Sequence, residues 1–334
     1  MQYYKLWLSS LLICACLSGC SGQGTALSAL SDTPSKTEDY SQARASQVGL
    51  KFTTPTRPDW AQDAEAIMAE LEQWRGKQFK QNLVIHIKPR EEGEPAGWYN
   101  PSTKQLVVTD NGSNEFKRGV MLHEIFHALQ DQTFDLTQLH QSAANSDADQ
   151  AIDALIEGEA MLAVSDLMNY NFAAHAKLPA EGNISDDLFN RLFEYGNGMQ
   201  FVSHLREKGG WEQVDTAFLN PPKSTREIFH PEKYLSASRE QISQTGIGEY
   251  GFQLWLARDP ETRSQLKVLQ SAYESDTLNV TDNGLHTWTI NLDSEKSARL
   301  VQELAPKAIA QMPNSPKSYE LELEKTQLRI QWQR

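Results

Sequence analysis

The chain has 334 residues and a formal net charge of −13, because 44 acidic side chains outnumber 31 basic ones. Proteins that hold a phosphate backbone need clustered Lys and Arg, and no such cluster occurs here, so the sequence excludes nucleic acid as the main partner. Hydrophobic residues make up 39% of the chain, which is enough for a globular protein with a real core.

The N-terminus has the pattern of a targeting segment rather than of a folded element. Lys5 precedes an apolar run from residue 6 to residue 17, which is too short for a stable membrane span. The run ends Leu17-Ser18-Gly19-Cys20, and small residues before a cysteine resemble the bacterial lipobox. The resemblance implies a lipoprotein signal peptide over 1–19 and a lipidated Cys20 that anchors the protein to a membrane.

A polar stretch over residues 20–48 follows, with few large apolar side chains, and we interpret it as a flexible tether. Ser21 rather than Asp follows the cysteine. By resemblance to lipoprotein sorting, this favours the outer membrane, facing the periplasm, if the host is Gram-negative. All three cysteines lie at or before Cys20, so the mature chain has no thiol left for a disulfide, a metal or a nucleophile.

The folded part is expected over 49–334, with a catalytic core over 49–170 and a mainly helical C-terminal subdomain over 171–334. The sequence predicts a helix over 59–74 and a strand over 83–87 that Pro89 ends. Two short apolar segments, 96–99 and 105–109, flank a turn and predict a hairpin. An extended peptide can add to an exposed sheet edge, so this hairpin is a candidate substrate-binding edge, and an ordinary sheet strand is the alternative.

The string His123-Glu124-Ile125-Phe126-His127 is the most informative part of the chain. It lies in an apolar-periodic run, 116–129, that predicts a helix, and Asn111-Gly112-Ser113-Asn114 offers N-cap side chains before it. Residues i and i+4 share one face of a helix, so the two imidazoles can hold one zinc ion. Glu124 lies on the neighbouring flank, where it can reach a water on that ion.

A catalytic zinc ion takes three protein ligands, so a third ligand must come from elsewhere in the chain. The best candidate is Glu157, in a second predicted helix over 147–170 that is hydrophobic almost all round. A carboxylate in such a helix is costly unless it is paired or binds a metal. Glu159 and Asp153 remain rival ligands, and Gly158 suggests close approach of another backbone.

Asp131 follows His127 by one helical turn. It is a candidate acceptor for a ligating imidazole, and an ordinary polar residue near a helix end is the equal alternative.

The last part of the chain reads as mainly helical. Helices are predicted over 186–208, 211–218, 248–258 and 260–273, a strand over 286–292, a helix from Asp293 to about 310, and a terminal hairpin over 319–332.

These motifs together resemble those of gluzincin-type zinc peptidases, whose third ligand is a glutamate on a following helix. The strings His123–Gln132 (H-E-x-x-H-A-L-Q-D-Q) and Glu157–Ala160 (E-G-x-A) also resemble those of a group of largely uncharacterised bacterial lipoproteins. The resemblance extends to a Ser224–Tyr234 element. It implies an α+β, zincin-like fold, with a small sheet, an edge hairpin and an active-site helix before the helical C-terminal part.

The resemblance and the site residues predict an envelope-anchored zinc peptidase with one zinc ion on His123, His127 and Glu157. Glu124 is then the general base and a peptide or protein is the substrate. Because a His or Tyr stabilises the oxyanion in related sites, His230 and Tyr234 are candidates for that role, and a loop anchored by Pro231 is the alternative. A non-catalytic scaffold or assembly factor and a hydrolase of cell-wall amides are the other interpretations.

Overall fold

The structure, a computed structural model, describes residues 50–52, 58–110, 112–170, 177–236 and 245–333. The predicted signal peptide, the tether and Cys20 lie outside these residues. The described chain forms two compact units, and each is described by itself. The first comprises the described residues up to Gln141 and those from Glu159 to Tyr170, and the second comprises Ser142–Gly158 and the described residues after 176.

The helices and strands follow one another in a simple order. The elements before residue 170 are β1 (Leu50–Phe52), α1 (Pro58–Arg75), β2 (Leu83–Lys88), β3 (Gly97–Asn100), β4 (Gln105–Thr109), α2 (Asn114–Phe134), α3 (Leu136–Gln141) and α4 (Ser146–Leu167). The elements after it are α5 (Asp186–Arg191), a π-helical segment (Leu192–Asn197), α6 (Gly198–Leu219), α7 (Thr225–Phe229), α8 (Pro231–Tyr234), α9 (Gly248–Ala257), α10 (Pro260–Arg263), α11 (Leu266–Leu269), β5 (Tyr273–Val280), β6 (Leu285–Leu292), α12 (Glu295–Ala310), β7 (Tyr319–Glu324) and β8 (Gln327–Gln333).

The sheet of the first unit has the order β1-β2-β4-β3 among the described strands. Strands β1, β2 and β4 run parallel, whereas β3 returns antiparallel to β4 through the predicted hairpin, which is confirmed. The turn is shaped by Asn100, whose side-chain oxygen accepts from the backbone N–H groups of Ser102 and Thr103, and by Lys104 in the left-handed region at φ 56°. This arrangement makes β3 an edge strand.

The predicted active-site helix exists as α2 and is longer than the apolar run that predicted it. Ser113 caps its start by accepting a hydrogen bond from the Phe116 N–H, and Asp135 ends it in the left-handed conformation. Fourteen of its residues are buried, from Phe116 through Asp131. Packing therefore surrounds this helix on more than one face and fixes the side chains that it carries.

Helix α4 confirms the second predicted helix over nearly all of its predicted length. Almost every residue from Ala151 to Val164 is buried, as expected of a helix without a polar face. The helix is one continuous element that contributes to both units, because the division falls between Gly158 and Glu159.

The second unit contains a further sheet that the sequence analysis predicted only in part. Its strands are antiparallel in the order β5-β6-β8-β7, and helix α12 packs on them through Ala298, Val301 and Ala305. Strand β5 was not predicted, and the helix predicted over 260–273 is wrong: two short helices, α10 and α11, occupy that stretch. The mixture of helices with two small sheets is compatible with the predicted α+β class.

The helix predicted over 186–208 is divided, because α5 passes into the π-helical segment and then into α6. Non-helical backbone at Gly209 and Gly210 kinks α6 before Trp211. None of the described helices is both long and apolar enough to cross a membrane.

Candidate metal centre

Helix α2 places His123, Glu124 and His127 in the interior of the protein. The exposed fractions of the three residues are 0%, 0% and 1%. The two imidazoles lie one helical turn apart with their rings edge to face, and their Nε2 atoms are 2.9 Å from each other. Two ring nitrogens that face each other at this distance suit a shared proton or a shared cation.

Glu157 on α4 completes the predicted ligand set. One ligand atom each of His123, His127 and Glu157 lies within 4.8 Å of the others, and all three residues are buried. Within the part of the chain that the structure describes, this is the one group of His, Cys, Asp and Glu side chains with the geometry of a metal site. The structure therefore brings together the three residues that the sequence analysis selected as ligands.

The donor set fits a zinc ion. Two imidazole nitrogens and one carboxylate oxygen are the ligands of a catalytic zinc site with one open position. Zinc–ligand bonds of about 2.0–2.1 Å in a tetrahedron place the ligand atoms roughly 3.3 Å apart. The 2.9 Å between the imidazole nitrogens and the 4.8 Å limit for the whole set bracket this separation. Small side-chain adjustments therefore suffice to hold one ion.

The rival ligand Glu159 has other partners. Its carboxylate accepts hydrogen bonds from Arg75 Nε and from Gln130 Nε2, and its exposed fraction is 0%. The other rival, Asp153, precedes Glu157 by one turn of α4. Burial, followed by the charges of Glu194, Asp149 and Glu157, raises the pKa of Asp153 well above its usual value, which favours the neutral acid over a ligating carboxylate.

The three residues Gln130, Asp131 and Gln132 tie α2 to three different parts of the first unit. Gln130 connects α2 to α4. Its Oε1 lies 2.8 Å from Nδ1 of His127, and its Nε2 donates to Glu159. Gln130 is therefore a partner of the His127 ring. Of the two alternatives for Asp131, the acceptor for an imidazole is not the one that the structure shows, because its hydrogen bonds go to other residues.

Asp131 instead fixes the hairpin of β3 and β4 to the helix. Its carboxylate accepts hydrogen bonds from the Tyr99 hydroxyl at 2.6 Å, from Lys104 Nζ at 2.7 Å and from the Leu136 N–H at 3.2 Å. Burial, with the carboxylate of Asp131 beside it, raises the pKa of Tyr99 well above its ordinary value. The hydroxyl therefore stays protonated and serves as a permanent donor.

Gln132 fixes the segment that leads into β2. Its Oε1 accepts from the backbone N–H groups of Lys80, at 2.7 Å, and Gln81, at 2.9 Å. The string Gln130-Asp131-Gln132 thus holds the His127 ring, the edge hairpin and a loop in succession.

Glycine is required at two places around the centre. A Cβ at Gly97 of β3 would lie 2.7 Å from Val120 Cγ1 and 3.0 Å from Glu124 Cγ, so a larger residue there would displace Glu124. A Cβ at Gly158 would lie 2.1 Å from the carbonyl carbon of Gly198. The predicted close approach of a backbone to Gly158 is confirmed, and the partner is the start of α6, directly after the π-helical segment.

The candidate oxyanion donors His230 and Tyr234 lie in the second unit, each with a protein partner. His230 Nε2 is 3.1 Å from both carboxylate oxygens of Glu249. The buried Tyr234 donates its hydroxyl to the Asn220 carbonyl at 3.1 Å, and its ring packs edge-on against Phe201. The role of these two residues in catalysis stays a prediction.

Thr225, in the same Ser224–Tyr234 element, anchors the start of α4. Its N–H and its hydroxyl both donate to Asp147 Oδ1, at 3.3 and 2.5 Å. Burial raises the pKa of Asp147 to about 6, an effect that these two hydrogen bonds oppose and that the charges of Asp276 and Glu249 increase. Asp147 could not be identified from the sequence, because a single acid near a helix start is an ordinary feature of surface helices.

Comparisons with protein-family models, with curated proteins and with solved structures found no match to this chain. A function for this chain is therefore inferred from the residues of the centre and their geometry.

Proposed function

We propose that the protein is a zinc-dependent peptidase with a zincin-like catalytic core. His123, His127 and Glu157 are the proposed ligands and Glu124 the proposed general base. The observation that carries the proposal is the buried group of two imidazoles and one carboxylate within 4.8 Å, in the only such arrangement among the described residues. These are the ligand types that a catalytic zinc ion uses.

A bound zinc ion would lower the pKa of a coordinated water toward neutrality and polarise the carbonyl of the substrate. Glu124 follows the ligand His123 directly and is buried beside it. Its carboxylate would take the proton of the attacking water and pass it to the leaving amine. Gly97 leaves the room that this side chain needs, because any larger residue would contact the Glu124 stem.

Strand β3 is the proposed binding edge for the substrate backbone. The Thr109 N–H donates to the Ala96 carbonyl, so residues 96 and 98 direct their backbone groups toward β4. The alternation of an antiparallel pair then directs the N–H and C=O groups of Gly97 and Tyr99, which are both buried, toward the edge away from β4. An extended peptide would pair with these groups beside Glu124.

The anchoring belongs to the same proposal. A lipid on Cys20 and the tether over 20–48 would hold the peptidase on the bacterial envelope, at the outer membrane if the host is Gram-negative. The substrate would then be a peptide or protein within reach of that surface.

The test is digestion of a peptide library by purified protein, with and without a chelator. The expected result is cleavage that the chelator abolishes and that added zinc restores. Glu124→Gln should keep zinc and lose turnover by roughly 10²- to 10⁴-fold, the usual contribution of a general base. Glu115→Gln is the matched control, because Glu115 is exposed in the first turn of the same helix.

The other interpretations predict different results in this experiment. Stoichiometric zinc without cleavage of any peptide would favour a scaffold, and chelator-sensitive release of cell-wall fragments without peptide cleavage would favour an amidase. Full activity of Glu124→Gln would contradict the assignment of the general base.

A further inference from the structure

A chain of buried hydrogen bonds runs away from the metal centre through His127, Gln130, Glu159 and Arg75. The exposed fractions of these residues are 1%, 2%, 0% and 3%. The contacts are His127 Nδ1 with Gln130 Oε1 at 2.8 Å, Gln130 Nε2 with Glu159 Oε2 at 2.8 Å, and Glu159 Oε1 with Arg75 Nε. All four residues lie in the first unit.

The donor and acceptor roles along this chain are fixed from its far end. A guanidinium can only donate, so Glu159 accepts from Arg75 and offers its second oxygen as an acceptor as well. Only the amide nitrogen of Gln130 can donate to that oxygen. The reverse orientation of the amide would place its carbonyl oxygen against the carboxylate, where the two acceptors would repel each other.

The amide oxygen of Gln130 therefore faces the ring of His127, and an amide oxygen can only accept. The ring must place its proton on Nδ1 to make this hydrogen bond, and Nε2 then carries a lone pair. Nε2 is the nitrogen that faces His123 at 2.9 Å, inside the candidate metal centre. This chain of hydrogen bonds thus determines which nitrogen of His127 is available as a ligand.

We propose that Gln130, held by Glu159 and Arg75, is a positioning residue that sets the tautomer and the orientation of His127 for metal binding. Arg75, at the end of α1, acts on the ligand His127 through two side chains, Glu159 and Gln130. The positioning role of Gln130 rests on the proposed zinc site, whereas the tautomer of His127 is a property of the metal-free protein.

The same chain of hydrogen bonds explains why the buried Glu159 is not a proposed ligand, although it lies two residues after Glu157. Its negative charge is used to orient Gln130 and is compensated by Arg75, which also lies 5.9 Å from the centroid of the Phe134 ring. The two carboxylates on α4 therefore have different roles. Glu157 supplies a ligand atom, and Glu159 fixes, through Gln130, the position of the ring proton of His127.

The first measurement is the tautomer of His127 in the metal-free wild-type protein, from long-range proton–nitrogen correlation spectra of the ring at about pH 8, where an ordinary imidazole is neutral. A His127→Gln variant assigns the signals. The expected result is a protonated Nδ1 and a bare Nε2. A proton on Nε2 of His127 would overturn the proposal, whether or not the protein binds zinc.

The second measurement is zinc affinity, by competition with a chromophoric chelator, in Gln130→Met and in the matched control Gln132→Met. Gln132 is two residues further along α2 and bonds the backbone of Lys80 and Gln81 rather than a ring. Gln130→Met should lose about 10- to 100-fold in zinc affinity and show His127 in both tautomers. Gln132→Met should keep the wild-type affinity and tautomer.

The two hypotheses fail in different ways. If the wild type binds no zinc, the proposed function fails, and the ring spectra still decide the tautomer. If the wild type binds zinc and a folded Gln130→Met variant binds it equally well with Nδ1 still protonated, the positioning role is wrong. Should Gln130→Met not fold, the wild-type spectrum alone decides.

Discussion

Two regions of the molecule bury acidic side chains, and they satisfy them in different ways. In the metal centre, two imidazole nitrogens and the Glu157 carboxylate converge within 4.8 Å, and each group can offer a lone pair to a cation. In the second region, which we call the α9 cluster (Asp147, Thr225, Gly248 and Asp276), the carboxylates face donors. Asp276 accepts from the N–H groups of Ile247 and Gly248, from the Tyr273 hydroxyl and from Trp288 Nε1.

The difference separates a structural use of buried acids from the functional one that we propose for Glu157. A carboxylate with four protein donors is fully satisfied and stabilises the start of a helix without any ligand. Converging ligand atoms of these types instead suit a shared cation. We therefore expect changes in the metal centre to alter zinc affinity, and changes in the α9 cluster to alter stability alone.

The largest effect is expected from Glu157→Gln, because it removes a ligand charge. Its zinc affinity should fall by more than the roughly 100-fold that loss of an outer partner costs. Asp153→Asn is the matched control: its raised pKa favours the neutral acid, so an amide should leave zinc affinity unchanged. Chelator competition measures both. If Asp153→Asn lost zinc and Glu157→Gln kept it, the third ligand would be Asp153.

The next effect should follow from Gly158→Ala, which forces a methyl group against the Gly198 backbone. Overpacking of this kind costs about 3 kcal/mol of the free energy of unfolding, measured with urea. Gly119→Ala on α2 is the control, because its Cβ would meet only the flexible Met168 side chain, with Sδ at 3.3 Å. A stable Gly158→Ala protein would contradict the close helix approach.

A smaller loss of stability is expected from Asp276→Asn in the α9 cluster. The new amide nitrogen cannot accept, so it leaves two of the four donors unsatisfied at a cost of about 2 kcal/mol. Zinc affinity should not change, which is the reverse of the result expected for Glu157→Gln. A loss of zinc affinity in a folded Asp276→Asn protein would remove the distinction between the two regions.

The smallest effect concerns pH and Asp147. Because the folded protein raises the pKa of this acid from 3.8 to about 6, the folded state binds the proton more tightly than the unfolded state does. Stability is therefore lost as pH rises through this range, by about 1 kcal/mol between about pH 5 and about pH 6. The Asp147→Asn protein should not show this loss of stability between the two pH values. Urea unfolding of both proteins at the two pH values measures the difference, and parallel curves would contradict the raised pKa.

The sequence could predict those parts of the centre that depend on local spacing. The i, i+4 pair of histidines, the neighbouring Glu124 and the breakers before the helix all follow from one helical segment. Glu157 and Gly158 could also be identified, because a charge and a glycine in an apolar helix each need a special reason. The hairpin followed from two short apolar segments around a turn.

Contacts between distant segments could not be predicted in the same way. Arg75 and Glu159 are 84 residues apart, and nothing in either local pattern indicates the other. The roles of Gln130 and Asp131 depend on which face of α2 meets which neighbour, so the sequence left two alternatives open for Asp131 and indicated no role for Gln130. Strand β5 was not predicted because its apolar residues are sparse and only two of its eight positions are buried.

The most direct test of the central claim is zinc titration of the purified, metal-free protein with the stoichiometry read by elemental analysis. The account predicts one zinc ion per chain, with the stoichiometry lost in His123→Ala and in Glu157→Gln but kept in Asp276→Asn. A wild-type protein that stays folded and takes up no zinc, or one that binds equally well without His123, would contradict it.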